Sequence, residues 1–470
     1  MPVGKLNLIP LTLFLLVCFA VPVTAADEQS PPVPAVWTVQ EAVRFALDNS
    51  PDSRITRQRI DAARALVEQT RAAFYPRVGV SSQYSQTNTP MYSFGNILNL
   101  GEFNQTINFN DPGRTDDLNL TAGIEYRLYN GGRDWAGLAA AKAAAAASTS
   151  EDQALRGRLA FEVVRAFFTI AQAGETVQAR QSQLEAIAAS LAVAKARFDA
   201  GALLRTELLN LEVQEAGVRE NLIAARHGLE LAKRGFLNLL GLEGGTVTLD
   251  PLKDTVMAPS PDTAFAGRPE LQSIAAVIRG GEARVRQAEG GRYPTADAFA
   301  SYQVDKGYDT LADGSGNSWV AGVKVNYTLF DGHRAAAAVS EARIRLNEAR
   351  QQRRKLELAI GLEVEQARLA MRQAEERMEV TGKMAELAQE NARLNRERFK
   401  EGVVLSSDLI EVENRLTDAR VRQAVAKSSH RIAVADLRRA MGLGQFENTA
   451  APETVVPVAA ASNQNRGGGE

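Results

Sequence analysis

The sequence predicts a mixed α/β membrane protein in which one structural repeat, a long α-helical hairpin joined to two β-strands, occurs twice. Three observations predict it. The chain repeats itself at a fixed offset, two very long proline-free runs carry heptad spacing, and each half holds a stretch of alternating apolar and polar residues with no second apolar layer to cover it. A duplication has to be recognised before elements are assigned, because it changes the whole topology.

The repeat is clearest at Arg197-Phe198-Asp199-Ala200-Gly201 and Arg398-Phe399-Lys400-Glu401-Gly402. The same spacing places Tyr129-Asn130-Gly131-Gly132 over Phe330-Asp331-Gly332-His333, and Leu240-Gly241-Leu242 over Met441-Gly442-Leu443. Upstream, Pro51 and Tyr75-Pro76 match Pro269 and Tyr293-Pro294 at a wider spacing. The first repeat therefore carries an insertion between Pro76 and Tyr129.

Residues 6–20 are mostly apolar, preceded by Lys5 and followed by Pro22 and small residues up to Ala26. This pattern is expected for an export signal over residues 1–25, since the run is short for a bilayer span and lacks a charged stop. The only cysteine, Cys18, lies inside it. The mature chain is then cysteine-free, which excludes disulfides and thiolate metal sites. A net charge of −2 gives no ground for nucleic-acid binding. With no helix-length apolar span left, an exported chain that enters a membrane must do so through β-strands.

After a Pro-rich leader over residues 26–36, Thr38-Val39-Gln40-Glu41 has the form of a capping box, which opens a short helix ending near Asn49. Pro51 suits the first turn of the next helix, and Tyr75-Pro76 stops it. Strands are expected at about 78–86, 118–129, 295–304 and 318–330. In the second, Leu118, Leu120, Ala122, Ile124, Tyr126 and Leu128 alternate with Asn119, Thr121, Gly123, Glu125 and Arg127; in the fourth, Trp319, Ala321, Val323, Val325, Tyr327 and Leu329 alternate with Val320, Gly322, Lys324, Asn326 and Thr328. Such alternation fits a soluble half-covered sheet or a tilted membrane strand, and the missing covering layer favours the membrane. Four strands cannot close a membrane barrel, which needs about eight, so several chains must contribute. Between the strands lie polar Gly/Asn/Pro segments at 86–117 and 305–317. Tyr92, Phe94, Phe103 and Phe109 leave the first open to either a folded surface loop or a low-order tip.

No proline occurs over residues 113–250 or 295–451. Leu159, Val163, Ala166, Ile170, Ala173 and Val177, then Leu184, Ile187, Leu191, Ala194 and Phe198, alternate spacings of four and three, which is a heptad seam. The matching run from Ile360 to Phe399 is richer in alanine. A helix from Arg133 to Gly201 is about 100 Å long, and the return path, split into 203–240 and 269–292, sums to roughly 90 Å. Glycine suits the left-handed position that ends a helix, so both Arg-Phe-x-x-Gly sites read as tips where one helix turns back as another.

The order and equal offset of the signal, strand pairs, Tyr-Asn-Gly-Gly and Phe-Asp-Gly turns, and acid-followed tips resemble the TolC-type outer-membrane efflux and secretion channels over residues 37–443. The resemblance implies a homotrimer whose twelve strands form one outer-membrane β-barrel, continued by an α-helical barrel in the periplasm of a Gram-negative cell. It also implies docking of a periplasmic adaptor (membrane fusion protein) and an inner-membrane pump at the tips, through Arg197, Phe198, Gly201, Arg398 and Gly402, with outer-membrane lipid around the barrel. Domain boundaries follow: repeats at 37–242 and 264–443, a connecting equatorial segment at 243–263, and a C-terminal tail at 444–470.

At the entrance, the resemblance matches Asp408 and Glu411 to the family's pore acids and Glu207 to the first-repeat acid. Phe399 stands where the family has a Tyr, and Val404 where it has an Arg, so closure through those polar links is not expected here. Asp408 reads equally well as a pore-lining carboxylate or as part of a helix start, where a carboxylate meets the positive dipole end. Glu411, one turn on, has less reason to be a cap.

Enzyme readings find no support: His227, His333 and His430 lack metal-ligand spacing, and no phosphate loop or nucleophile elbow occurs. No catalytic residue, metal or cofactor is expected. The competing classes are a periplasmic adaptor, which would show one hairpin rather than two repeats, and a coiled-coil stalk, which would leave the strands without a role.

Overall fold

A computed structural model describes residues 34–250, 258–259, 267–308 and 313–446. The export signal, nearly all of the leader, much of the connecting segment and all but the first residues of the tail lie outside the described residues. The capping box forms as the sequence dictates. Thr38 Oγ1 accepts from the Glu41 N–H at 3.2 Å while the Glu41 carboxylate accepts from the Thr38 N–H, which opens α1 (Val39–Asn49). Ser50 caps α2 (Pro51–Arg71), with Pro51 in the first turn.

Four strands follow from the alternating segments: β1 (Arg77–Thr87), β2 (Thr115–Tyr129), β3 (Thr295–Lys306) and β4 (Ser315–Asn326). They form one antiparallel meander in the order β1-β2-β3-β4. The register joins the two repeats directly, with Ala122 opposite Tyr302 and Ile124 opposite Ala300. Side chains of paired residues share a face. One face therefore carries rows such as Val80-Ala122-Tyr302-Trp319 and Val78-Ile124-Ala300-Ala321, and the other Gln83-Asn119-Asp305-Gly316 and Ser81-Thr121-Gln303-Ser318. Among the described residues nothing covers the apolar rows: Val78 and Val80 are each 70% exposed and Trp319 76%. The fourth strand ends at Asn326, short of the expected Phe330, because its partner begins at Thr295 directly after Pro294, which has no N–H to continue the ladder.

The insertion in the first repeat is folded. A helix, α3 (Pro90–Asn99), buries Ile97 together with Leu100 at its end, and Phe94 meets Phe109 edge-on with ring centroids 4.6 Å apart.

The proline-free runs become α4 (Arg133–Asp199) and α7 (Arg334–Glu401), 67 and 68 residues long. Their return helices are α5 (Arg205–Leu240), α6 (Pro269–Gly290) and α8 (Ser406–Ala440). Seam residues Leu159, Val163, Ile170, Ile187, Leu191 and Ala194 are buried, as are Ile360, Val364, Ala367, Ala374, Ala385 and Ala392. Small residues on the second seam let backbones approach closely. Among the described residues no helix is long and apolar enough to cross a membrane.

Midway along the rod, a compact core gathers Trp37, Val43, Phe167, Phe168, Phe236 and Leu240. Trp37 binds this girdle to the connecting segment through backbone hydrogen bonds, its N–H to the Thr248 carbonyl at 2.8 Å and its carbonyl from the Asp250 N–H at 2.9 Å. Beside it, buried Arg268 ties three helices together. Its guanidinium donates to Glu270 at 2.8 Å on α6, to Glu363 at 2.5 Å on α7 and to the Ala440 carbonyl at 3.0 Å at the end of α8. Burial alone would push the Glu363 carboxyl up, but hydrogen bonds and charge from Arg268 and Arg439 outweigh it and hold the group below the usual carboxylate range. Glu270 behaves likewise: burial opposes, and Arg268 prevails.

Candidate functional site

The end of the rod farthest from the sheet is built by the two Arg-Phe-x-x-Gly sequences. Both helices close with the same pair of hydrogen bonds, Ala202 N–H to the Arg197 carbonyl and Gly201 N–H to that of Phe198, repeated as Val403 to Arg398 and Gly402 to Phe399. This is the Schellman arrangement, and it places Gly201 at φ 72° and Gly402 at φ 84°. Six residues at the tip pack into one small core: Leu191, Ala194, Leu208, Leu211, Phe399 and Leu409. Phe198 and Val404 pack against it from the side.

The two tips are alike in sequence but not in what they do. Arg197 reaches across to the second hairpin, donating to the Phe399 carbonyl at 2.9 Å with its guanidinium carbon 5.9 Å from the Phe399 ring centroid. Arg398, its counterpart, is exposed. Phe399 is fully buried, whereas Phe198 is only partly so. Glu207 also crosses between hairpins: its carboxylate accepts from the Ser406 N–H at 2.8 Å and the Ser406 hydroxyl at 2.5 Å. An acid from the first repeat thereby satisfies a free N–H at the start of α8. That helix has no side-chain cap of its own, and Asp408 sits exposed in its first turn. Glu411 is exposed too and pairs with Arg415 one turn on.

The polar layer behind the tip was not anticipated from the sequence. Glu413 is 1% exposed and receives Arg396 in a two-pronged pair at 2.5 and 2.7 Å, while Asn414 Oδ1 accepts from both Gln183 and Gln214. A signal existed. Leu409, Glu413 and Leu416 continue the four-three spacing, so a charge at the middle position must be buried and paired.

The asymmetry predicts unequal effects of one substitution. At Gly402 an added Cβ would lie 2.7 Å from an Arg197 nitrogen, whereas at Gly201 it meets open space. Both positions strain a β-branched residue in the left-handed region by about 1–2 kcal/mol. Gly402→Val is therefore expected to lower thermal stability and tip integrity more than Gly201→Val, measured by melting temperature and by protease cleavage at the tips. Equal losses would show that the Arg197 contact adds nothing.

A sheet with one exposed apolar face, carried on two long helical hairpins whose tips meet in a small apolar core backed by a polar layer, has the build of a membrane channel subunit. The chain belongs to the outer membrane efflux protein family, whose model matches residues 42–242 and 260–443. It is 22% identical to the outer membrane protein TolC of Vibrio cholerae over 432 residues, 87% of this chain and 92% of that one. Protein CyaE of Bordetella pertussis is 24% identical over 86% of this chain and 83% of its own. The match to the outer membrane efflux protein BepC of Brucella suis is 25% identical and spans 42% of that protein. In fold, the chain is similar to the CmeC outer membrane channel of Campylobacter jejuni, with a TM-score of 0.75, 18% identity and 87% of each chain covered. It is similar also to VceC of Vibrio cholerae, with a TM-score of 0.73, 17% identity and 86% and 96% covered. The protein is an outer-membrane efflux or secretion channel. The family is one of channels rather than enzymes, and the adaptor and stalk readings fall away.

Proposed function

We propose that three copies of this chain close a twelve-strand barrel in the outer membrane, continue as a helical barrel through the periplasm, and receive substrate from a pump and adaptor docked at the tips. The observation that carries this reading is the four-strand sheet, in which the apolar rows Val80-Ala122-Tyr302-Trp319 and Val78-Ile124-Ala300-Ala321 each cross all four strands while β1 and β4 each keep a free edge among the described residues. Free edges in a bilayer are untenable, so copies must join edge to edge. Two copies would make eight strands, a barrel filled by its own side chains; three leave a lumen. The polar rows then line a water-filled path, and helices of 67 and 68 residues at about 1.5 Å per residue carry it about 100 Å onward.

In this assembly Asp408 and Glu411 ring the entrance in threefold copies, a negative constriction that draws cations and is blocked by polyvalent ones. Asp408 has no hydrogen-bond or ion-pair partner among the described residues, whereas the charge of Glu411 is offset by Arg415. Asp408→Asn should therefore relieve periplasmic-side block by a polyvalent cation more than Glu411→Gln does, and the double change most of all, with trimer stability little altered. Single-channel recording in planar bilayers reads this out. Unchanged block together with a marked loss of thermal stability would assign Asp408 to the helix start instead.

A further inference from the structure

We propose that α3 is a lid folded inward across the outer mouth of the barrel, so that the exit, and not only the periplasmic entrance, restricts passage. The inference rests on the three-chain barrel above, and it follows from which face of the sheet α3 covers. Leu118, Leu120 and Ala122 lie on the apolar face, so Thr115, Asp117 and Asn119 lie on the polar one; through the register Asp305 and Gly316 share that polar face. The contacts of α3 are with these polar-face positions. Asn96 Nδ2 donates to Thr115 Oγ1 at 3.1 Å, and Ser93 Oγ donates to the Gly113 carbonyl at 2.6 Å. A Cβ built on Gly316 would stand 1.8 Å from the Asn99 carbonyl oxygen, and one on Gly314 would stand 2.5 Å from that of Leu100. The helix thus leaves β1, crosses the polar side of β2 and ends against the polar side of β4, where only glycine permits the approach.

Burial agrees. Thr115, bonded to the helix, is 0% exposed, and Asp305, which accepts from Asn119 Nδ2 at 2.7 Å on the same face, is 3% exposed, whereas farther down that face of β3, Phe299 is 37% exposed. A loop that merely extended the hairpin outward would leave Thr115 open to water. The lid is also a folded body rather than a loose tip. Ile97 and Leu100 pack with Ile107, and Phe94 meets both Phe103 and Phe109, with ring centroids 5.9 and 4.6 Å away. Three such lids on the lumen side narrow one exit.

The test reads access from outside, independently of the entrance. Ser301 lies midway along β3 on the polar face, opposite Val320 and Gly123, and Val323 lies on the apolar face. In the full-length protein in intact cells, Ser301→Cys is challenged with a membrane-impermeant maleimide carried on polyethylene glycol. Three backgrounds are compared: the natural loop, residues 88–114 replaced by Asn-Gly to close the Thr87 and Thr115 pair as a tight hairpin, and Gly316→Val, which displaces the lid without removing it. Val323→Cys is labelled in parallel. The expected result is several-fold faster labelling of Ser301→Cys in both altered backgrounds, with Val323→Cys unreactive throughout. Equal rates at Ser301→Cys in all three backgrounds, with Val323→Cys still protected, would overturn the lid and leave the barrel standing. Reaction of Val323→Cys would overturn the barrel reading and the lid with it.

Discussion

Val323→Arg is expected to abolish stable assembly in the outer membrane, while Val320→Lys, three positions away on the same strand, is tolerated. Both valines are more than half exposed in the single chain, so exposure does not distinguish them. The register does. Val323 pairs with Ala298 on the apolar face, flanked along the strand by Ala321 and Val325, whereas Val320 pairs with Ser301 on the polar face. An arginine facing the midplane of a bilayer costs about 2–4 kcal/mol in a barrel, and a symmetric assembly incurs that in every copy. A lysine facing a water-filled lumen keeps its hydration. Fractionation of outer membranes, with heat-resistant oligomer on gels as the second readout, measures both. Equal loss, or equal tolerance, would mean that the alternation belongs to a soluble sheet.

The second large effect is expected at the girdle. Arg268→Met keeps the side chain's bulk but leaves Glu270 and Glu363 facing each other near a buried site, with only Arg439 still opposite Glu363. Removing one member of a buried pair is strongly destabilising. Because both carboxylates are about one-third exposed (30% and 32%), the loss should fall below the roughly 3–5 kcal/mol of a fully buried pair, at about 2–3 kcal/mol. Its pH dependence has a definite sign. Both carboxyl groups are held below their ordinary value of 4.5 in the folded chain. Their contribution is therefore fully present above that pH and lost as acid carries them through the lowered folded values. The variant should be less stable than the natural chain at pH 7, and the gap should shrink as the pH falls below 4.5. Thermal melts across that range test it; a gap independent of pH would show that Arg268 acts by packing alone.

How much of this was legible in the sequence follows from the range of the interactions. Heptad spacing, the Thr38 capping box, the alternating strands and the two tip glycines are local patterns, and each forms an element at or near its expected bounds. The resemblance to the channel family came from their order. What escaped is non-local. Arg268 meets Glu363 and Ala440 across 95 and 172 residues. Arg197 and Glu207 look like equivalents of second-repeat residues, yet each makes its decisive bond to the other hairpin, which no comparison of the repeats reveals. The lid was hidden for a different reason: Gly, Asn and Pro recur through residues 88–114, and its aromatic residues become a core only once the chain folds back on itself. Asp408 and Glu411 lie exposed at the tip of the rod, and their place at an entrance in threefold copies belongs to the proposed assembly.

That assembly is tested most directly by the mass of the complex. Native mass spectrometry of the full chain extracted in mild detergent should show one dominant species of three copies, stable to dilution and free of other protein chains. A folded species that is predominantly monomeric or dimeric would contradict the twelve-strand barrel, and with it the path from pump to cell exterior.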